Sequence, residues 1–382
     1  MITSLKIGGA ERALCALLEN MRDSAIQHHV AYFHAGPCVA IMASLGIPTY
    51  PVGGLIHRYD PLLYYRLYRL VKKINPDVIH TSLWSANILG RIIGTRCGIP
   101  VVSDLHGNCE HEGWLRNSID RRTAHLSQRT IAVATTVENS YRCHIVAKIK
   151  NIERKKLTDG RVIVIKNGIN AHKLRAQIVA RPLTRRKCAI AEDAFVIGSV
   201  GRLEPIKSYD ILIRAFALLC SSISLTRPLT LVLVGGGSQM QTLKNLAQSL
   251  DIAAHVLFTG EQPDAWRFYQ LFDCFALSSQ SEGISLALLE ALCCGIPVAT
   301  THAYERHDVI TDKVHGFLVP PGDIRALARA LEELYNHPEK AITMGTAARQ
   351  LIDEKFTIER VVEQYRDLFK TAYKNFMQRD LL

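Results

Sequence analysis

Short apolar runs alternate with longer segments of helical period from one end of the chain to the other, the pattern of strands and helices taking turns. Up to residue 167 the strand-like runs are HHVAYFHA, DVIHTS, PVVSDLH, TIAVATT and RVIVIKN; beyond residue 194 they are FVIGSVGR, TLVLVGGG, HVLFTG, DCFALSS, PVATT and GFLVPP. Between them lie amphipathic stretches such as residues 62–74, where Leu63, Leu67, Leu70 and Ile74 make one apolar stripe. Strands that alternate with helices predict parallel sheets covered on both faces. Each set of runs is enough for one doubly wound domain, so the fold class expected is α/β.

The stretch 167–194 breaks the alternation with dense charge and weak periodicity, and reads as a connection. The expected boundaries are 1–170 for a first domain, 171–194 for a linker and 195–357 for a second domain, with a final helical segment at about 358–382. A chain of 382 residues with 48% apolar content can fill two such cores. No apolar run is long enough to span a bilayer. The opening residues MITSLKIGGAERALCALLENM lack the basic region, apolar core and cleavage site of a signal peptide. Ten cysteines without any C-x-x-C read as reduced thiols. These features point to the cytoplasm. Only seven residues precede Gly8, so the first strand is expected to be short, unless the start of the gene is clipped.

The formal net charge of +11 is unevenly placed. Residues 1–190 carry 28 Lys and Arg against 12 Asp and Glu, whereas residues 191–382 carry 18 against 23. A basic half joined to a mildly acidic one points to a polyanionic partner. The basic residues are not interleaved with a stacking-aromatic motif, so no nucleic acid is expected. An anionic membrane surface, reached from its inner face, is favoured. Its candidate contacts are Arg121, Arg122, Lys148, Lys150, Arg154, Lys155 and Lys156. A second patch sets Tyr64, Tyr65 and Tyr68 beside Arg66, Arg69, Lys72 and Lys73, and its plainer reading is a helix packed by its apolar stripe.

Residues 278–298, SSQSEGISLALLEALCCGIPV, are the most informative stretch. Glu282 and Glu290 are separated by seven residues, Gly283 stands just inside the first, and Leu286, Leu288, Leu289 and Leu292 lead past the second. A strand feeds the segment, Gly295 and Pro297 stop it, and PVATT begins the next strand, so the acidic pair lies in a β-α-β unit. A helix entered from a strand through such a turn offers unpaired N–H groups and a positive dipole end, the outline of a phosphate site. Eight residues of helical rise span about 12 Å, longer than the roughly 5–9.5 Å between the carboxyls of a glycoside hydrolase. A hydrolytic acid/base pair is therefore not expected. Taken alone, two glutamates at this spacing also describe solvated positions around an amphipathic helix.

The segment GSVGRLEPIK, residues 198–207, follows a strand and precedes a helix. Gly198 and Gly201 let backbone approach a ligand, and Arg202 and Lys207 suit a diphosphate met from two sides. Alone, the same residues describe a turn with surface cations. Gly235, Gly236 and Gly237 look dinucleotide-like, but Met240 occupies the place of the third glycine, so they read as a strand-end turn. Gly8 and Gly9 mark a tight strand-to-helix connection. The segment from His106 to Glu112 has no recognised zinc spacing, and no Asp-x-Asp occurs, so no metal is expected.

Taken in order, GGAER, VIHTSLWSANILGR, PVVSDLHGN, VIKNGIN, GSVGRLEPIKSYDILIRAFA, LVLVGGGSQ, SEGISLALLEALCCGIPV and HGFLVPPGD resemble the retaining glycosyltransferases of the group 1 superfamily, family 4. The resemblance runs over nearly the whole chain, and the E-x7-E and G-R-L-x-P-x-K blocks are its specific parts. It implies a GT-B architecture: two Rossmann-like doubly wound domains facing a central cleft, a nucleotide-sugar donor on the second, an acceptor on the first, and a terminal helix that packs back on the first. It implies that Arg202 and Lys207, beside Gly201, grip the donor diphosphate. It further implies that Glu282 faces the donor sugar, Glu290 binds the ribose hydroxyls, and Gly283, Ile284, Ser285 and Leu286 line the donor between them. Gly9 matches a loop that approaches the donor from the other domain, and His106 matches a histidine near the transferred sugar. The implied catalytic set is Glu282, His106, Arg202 and Lys207. No cofactor is implied besides the donor itself, because cations and helix-end N–H groups can carry the charge of the leaving diphosphate. The expected activity is transfer of a hexose or N-acetylhexosamine from a nucleotide-diphosphate sugar, UDP ahead of GDP, to a glycan or lipid-linked acceptor of cell-envelope polysaccharide such as lipopolysaccharide.

After PVATT the family usually has Gly-Gly-x-x-Glu, whereas this chain reads His302, Ala303, Tyr304, Glu305, Arg306, His307, Asp308. Sugar and acceptor specificity therefore do not carry over from relatives. Two other readings stand beside transfer. One is a non-catalytic partner subunit of the same fold, motivated by the short first strand and the altered 302–308 loop. The other is a nucleotide-sugar epimerase, which needs an acid/base pair at the sugar ring that the sequence does not display.

Overall fold

The computed structural model describes residues 1–22, 26–53, 61–111, 113–149, 161–222, 226–302 and 309–378. The chain divides into two compact units, Met1–Gly168 with Ile358–Leu382, and Ile169–Thr357. In the first unit the strands β1 (Ile2–Ser4), β2 (Val30–His34), β3 (Thr49–Pro51), β4 (Ile79–Ser82), β5 (Val101–Leu105), β6 (Arg129–Ala132) and β7 (Val162–Val164) form a parallel sheet in the order β3-β2-β1-β4-β5-β6-β7. The order reverses between β1 and β4, the switch point beyond which ligands bind in doubly wound sheets. β1 has only three residues but sits centrally: Ile2 is fully buried and pairs with Tyr32 on one side and Ser82 on the other. β3 has no apolar run to announce it, because its Thr-Tyr-Pro sequence lies half exposed at the sheet edge.

In the second unit β8 (Phe195–Val200), β9 (Leu229–Val234), β10 (Val256–Gly260), β11 (Cys274–Leu277), β12 (Val298–Thr301) and β13 (Gly316–Val319) form a parallel sheet in the order β10-β9-β8-β11-β12-β13. Here the switch point lies between β8 and β11. All of β8 and β11 is buried, as expected of strands covered on both faces. Residues 171–194, expected as a linker, fold into the body of this unit. Helix Ala171–Ala180 is capped by Asn170, whose side chain accepts from the Lys173 N–H at 2.8 Å. From it Arg175 donates to the Cys293 carbonyl at 3.0 Å and pairs with Asp353 at 2.9 Å. Arg185 pairs with Asp273 at 2.7 Å. Arg175 and Arg185 thus tie to the body of the unit part of the dense charge that reads as a connection.

The helix Ile358–Met377 belongs to the first unit and buries Ile358, Val362, Tyr365, Leu368 and Ala372 with Leu17, Met21, Val102, Ile131 and Ile165. Helix Pro61–Ile74 sets Leu63, Leu67 and Val71 into the core with Ile79, Ile93 and Val101, so it packs in the ordinary way. Leu62 and Tyr65 stay exposed, and the Arg69 guanidinium lies 5.8 Å from the Tyr65 ring centre. Of the other basic candidates, Arg121 donates to the His144 carbonyl at 3.2 Å and Arg122 to the Ser118 hydroxyl at 2.8 Å. Lys150, Arg154, Lys155 and Lys156 lie outside the described residues, as do Glu112 and the 303–308 loop. Among the described residues no helix is long and apolar enough to cross a membrane.

Candidate active site

At the switch point of the second sheet, β8 and β11 end side by side, with Ile197 paired to Cys274 and Gly198 to Phe275. The turns beyond them are laced together. The Gln280 N–H donates to the Ile206 carbonyl at 3.0 Å and the Ser278 hydroxyl to the Ser208 carbonyl at 2.7 Å. The Thr301 hydroxyl fastens the next strand by donating to the Ser279 carbonyl at 2.7 Å. The glycine triplet joins the same edge: the Leu203 N–H donates to the Gly236 carbonyl at 2.8 Å, and Ser238 donates to the Glu204 carboxylate through its hydroxyl at 2.6 Å. Gly237, at φ +157, lies so close to the Leu203 backbone that a Cβ would collide with it. A strand-end turn is what this packing requires. Gly198 differs from its sequence reading, since it lies inside β8 against the Phe272 ring and serves packing instead of ligand approach.

These turns bring Lys207 and Glu282 together. Lys207 ends the short turn Pro205–Lys207 and its ammonium pairs with the Glu282 carboxylate, which also accepts from the Ser279 hydroxyl at 2.9 Å. Arg202 is exposed on the turn after β8 and, with Ser238 as the larger influence, helps hold the Glu204 carboxyl below its usual range. Gly283 and buried Ile284 complete the turn, and Ser285 caps helix Leu286–Cys293 by accepting from the Leu288 N–H at 3.4 Å. The helix therefore starts four residues after Glu282, and a separation computed from eight helical residues does not apply. Glu290 is buried one turn into the helix, where its carboxylate accepts from the Tyr269 hydroxyl at 2.8 Å.

A second polar cluster occupies the matching edge of the first sheet. Gly9 opens helix Gly9–Asn20 just after β1, with open space where a side chain would begin. His80 comes from β4, Asp104 from β5, His106 from the residue after β5, and Tyr365 from the terminal helix. The Tyr365 hydroxyl donates to Asp104 Oδ2 at 2.8 Å, His80 Nε2 lies 2.8 Å from the same oxygen, and His106 Nε2 lies 3.9 Å from it. These four residues, with Lys166 and residues of helix Gly9–Asn20, line a cavity of about 20 Å³. Burial pushes the basicity of His106 below the ordinary histidine range; the Asp104 carboxylate opposes this shift and His80 adds to it. Burial, together with Asp104, pushes the Tyr365 hydroxyl far above the usual phenol range, so it remains a donor.

Residues 180–351 match the family Glycosyl transferases group 1, and residues 7–173 match Glycosyltransferase Family 4. The chain belongs to the group 1, family 4 glycosyltransferases. It is 27% identical over 311 residues to the D-inositol 3-phosphate glycosyltransferase of Saccharomonospora viridis, covering 78% of this chain and 71% of that one. It is 27% identical over 307 residues to the UDP-Gal:alpha-D-GlcNAc-diphosphoundecaprenol alpha-1,3-galactosyltransferase of Escherichia coli, covering 79% of this chain and 77% of that one. The crystal structure of Anabaena Alr3699/HepE in complex with UDP-glucose superposes with a TM-score of 0.81 at 22% identity, covering 97% of this chain and 99% of that one. The fold of this glycosyltransferase is GT-B.

Within the glycosyltransferase, the second-unit edge gathers Gly201, Lys207, Glu282, Gly283, Ile284, Ser285 and Leu286 on two adjoining turns and leaves Arg202 on the surface beside them. Ser279 also belongs to that edge, while Tyr269 reaches Glu290 from the turn before β11 at the opposite ends of the strands; sequence reading missed both. Ser279 stands inside the quoted block, so its signal was present; Tyr269 had none, since nothing local aims it at Glu290. His80 and Asp104 were likewise missed, although each is a titratable residue near the end of an apolar strand.

Proposed function

We propose that this glycosyltransferase moves a hexose or N-acetylhexosamine, with retention of anomeric configuration, from a UDP-sugar to a glycan or lipid-linked acceptor of a cell-envelope polysaccharide. The carrying observation is the Lys207–Glu282 pair at the switch point of the second sheet. A nucleoside diphosphate competes with Glu282 for Lys207, and the freed carboxylate is then available to hydroxyls of the donor sugar. Arg202 and Lys207 offset the charge that develops on the leaving diphosphate, so no metal is needed for that step. Glu290, held by Tyr269, accepts the ribose hydroxyls. Retention follows from a same-face transfer in which the leaving phosphate assists removal of the acceptor proton.

UDP and a lipid-linked acceptor are supported by the Escherichia coli relative, named for UDP-Gal and a diphosphoundecaprenol-linked sugar, and by HepE, solved with UDP-glucose. The basic first half of the chain favours work at the cytoplasmic face of an anionic membrane. The test is incubation with UDP- and GDP-sugars in EDTA, with and without lipid extract, measuring free nucleotide and the anomeric configuration of the product by NMR. Acceptor-dependent release of UDP and a retained anomer are expected. No release with any donor supports a non-catalytic subunit, and an inverted product overturns the mechanism.

A further inference from the structure

We propose that Asp104 is a positioning residue for His106, held in place by Tyr365 of the terminal helix and by His80 of β4. The inference rests on the glycosyl-transfer reading only for its effect on turnover. Asp104 is 3% exposed, and a carboxylate this deeply buried is costly unless its oxygens are satisfied. Both close partners, Tyr365 and His80, meet Oδ2, each at 2.8 Å. Oδ1 is buried without a hydrogen-bond partner, and so are His106 Nε2 and His80 Nε2, whose approach to Oδ2 is an ion-pair contact and not an aligned hydrogen bond. Buried polar atoms left in this condition, gathered on one cavity, call for a role beyond packing. The carboxylate backbone is fixed as well, because the Asn87 side chain donates to the Asp104 carbonyl at 2.9 Å.

The consequence for His106 is a choice of tautomer. Burial favours the neutral ring, which carries one proton on either nitrogen. The nearest charge is the Asp104 carboxylate, 3.9 Å from Nε2, and it draws the proton to that atom. Nδ1 is left as the acceptor. Tyr365 acts one step further back: its hydroxyl fixes Oδ2, so the terminal helix becomes part of the apparatus that sets the His106 ring. His80 and Lys166 are the other titratable groups lining the cavity.

The test uses the full chain and two variants, Asp104→Asn and Tyr365→Phe. The second keeps the ring that stacks edge-on to His80, with centroids 5.6 Å apart, and so preserves packing. The His106 ring is read by NMR of ¹⁵N-histidine protein, its signals assigned by their loss in His106→Gln. Asp104→Asn is expected to move His106 away from a dominant Nε2–H tautomer. It is also expected to lower kcat by roughly tenfold to a hundredfold with donor KM within about twofold, up to the low end of what a positioned acid–base group contributes. Tyr365→Phe should act in the same direction and less. Unchanged His106 signals in both variants overturn the proposal even if kcat falls, since the role would then be structural. Unchanged kcat in an active enzyme overturns it too. A wild-type protein inactive with every donor defeats the glycosyl-transfer reading instead, and the NMR result still decides the coupling of Asp104 to His106.

Discussion

Each unit sets a buried carboxylate against a tyrosine hydroxyl at 2.8 Å, Asp104 with Tyr365 in the first and Glu290 with Tyr269 in the second. What surrounds the two carboxylates differs. In the second unit Lys207 and Glu282 pair on the turns that lead into the helix of Glu290, and in the proposed function a diphosphate displaces one partner of that pair. Around Asp104 stand two histidines and an orphaned carboxylate oxygen, with Lys166 lining the same cavity and the buried Met1 amine, which donates to the His80 carbonyl, within reach of the carboxylate's charge. On the two readings proposed above, the same buried motif serves two chemistries: one edge meets the charge of a diphosphate, the other holds a proton at a chosen atom.

The largest effect expected from breaking this contrast is at Lys207. Lys207→Ala, and equally Arg202→Ala, should cost about 2–4 kcal/mol of transition-state stabilisation, the loss of one preorganised donor. Because Lys207 and Glu282 share a contact, Lys207→Ala with Glu282→Gln should cost less than the two separately. If kcat/KM is unchanged in both cation variants, the second-unit edge is not a diphosphate site.

Next comes the buried carboxylate of that edge. Glu290→Gln should weaken UDP binding in calorimetry by about tenfold, and more than Glu282→Gln does, since a hydrogen bond to a charged group contributes about 1.5–3 kcal/mol. Tyr269→Phe should give a smaller loss in the same direction. Equal losses at Glu282 and Glu290 would remove the distinction between a sugar-facing and a ribose-facing glutamate.

The basic surface gives a smaller effect per residue. Exposed Arg69 or Lys72 changed to Gln should reduce sedimentation with anionic vesicles by about fivefold each, from about 1 kcal/mol per basic side chain near such a surface. Equal binding to neutral vesicles, or binding that persists at high salt, would count against it.

The smallest effect concerns pH. His106 is less basic in the folded protein than its ordinary value of 6.5. The unfolded chain therefore takes up the proton first as pH falls, and stability declines as pH drops below that value. His106→Gln should flatten the decline in thermal melts between neutral and mildly acid pH; an identical slope would place the titration elsewhere.

The two edges also differ in how far they can be read from sequence. Lys207 and Glu282 are 75 positions apart, but each sits in a short block whose turn glycine, helix start and flanking strand are local features. Asp104 and Tyr365 are 261 positions apart, and nothing in the terminal helix's spacing separates Tyr365 from the core residues Val362 and Leu368. Periodicity reports that such a residue is buried and is silent on the partner it meets. The helix starting at Leu286 instead of Glu282 was hidden for a related reason: serine at position 285 caps as readily as a turn residue as it tolerates helix, and spacing alone does not choose.

Backbone hydrogen exchange with and without UDP tests the central claim most directly, that the switch-point edge of the second sheet holds the donor diphosphate. Protection concentrated in residues 199–208 and 278–290, and lost in Lys207→Ala, is the predicted result. Protection confined to residues 235–239, or to the His80 and His106 edge of the first sheet, would contradict it.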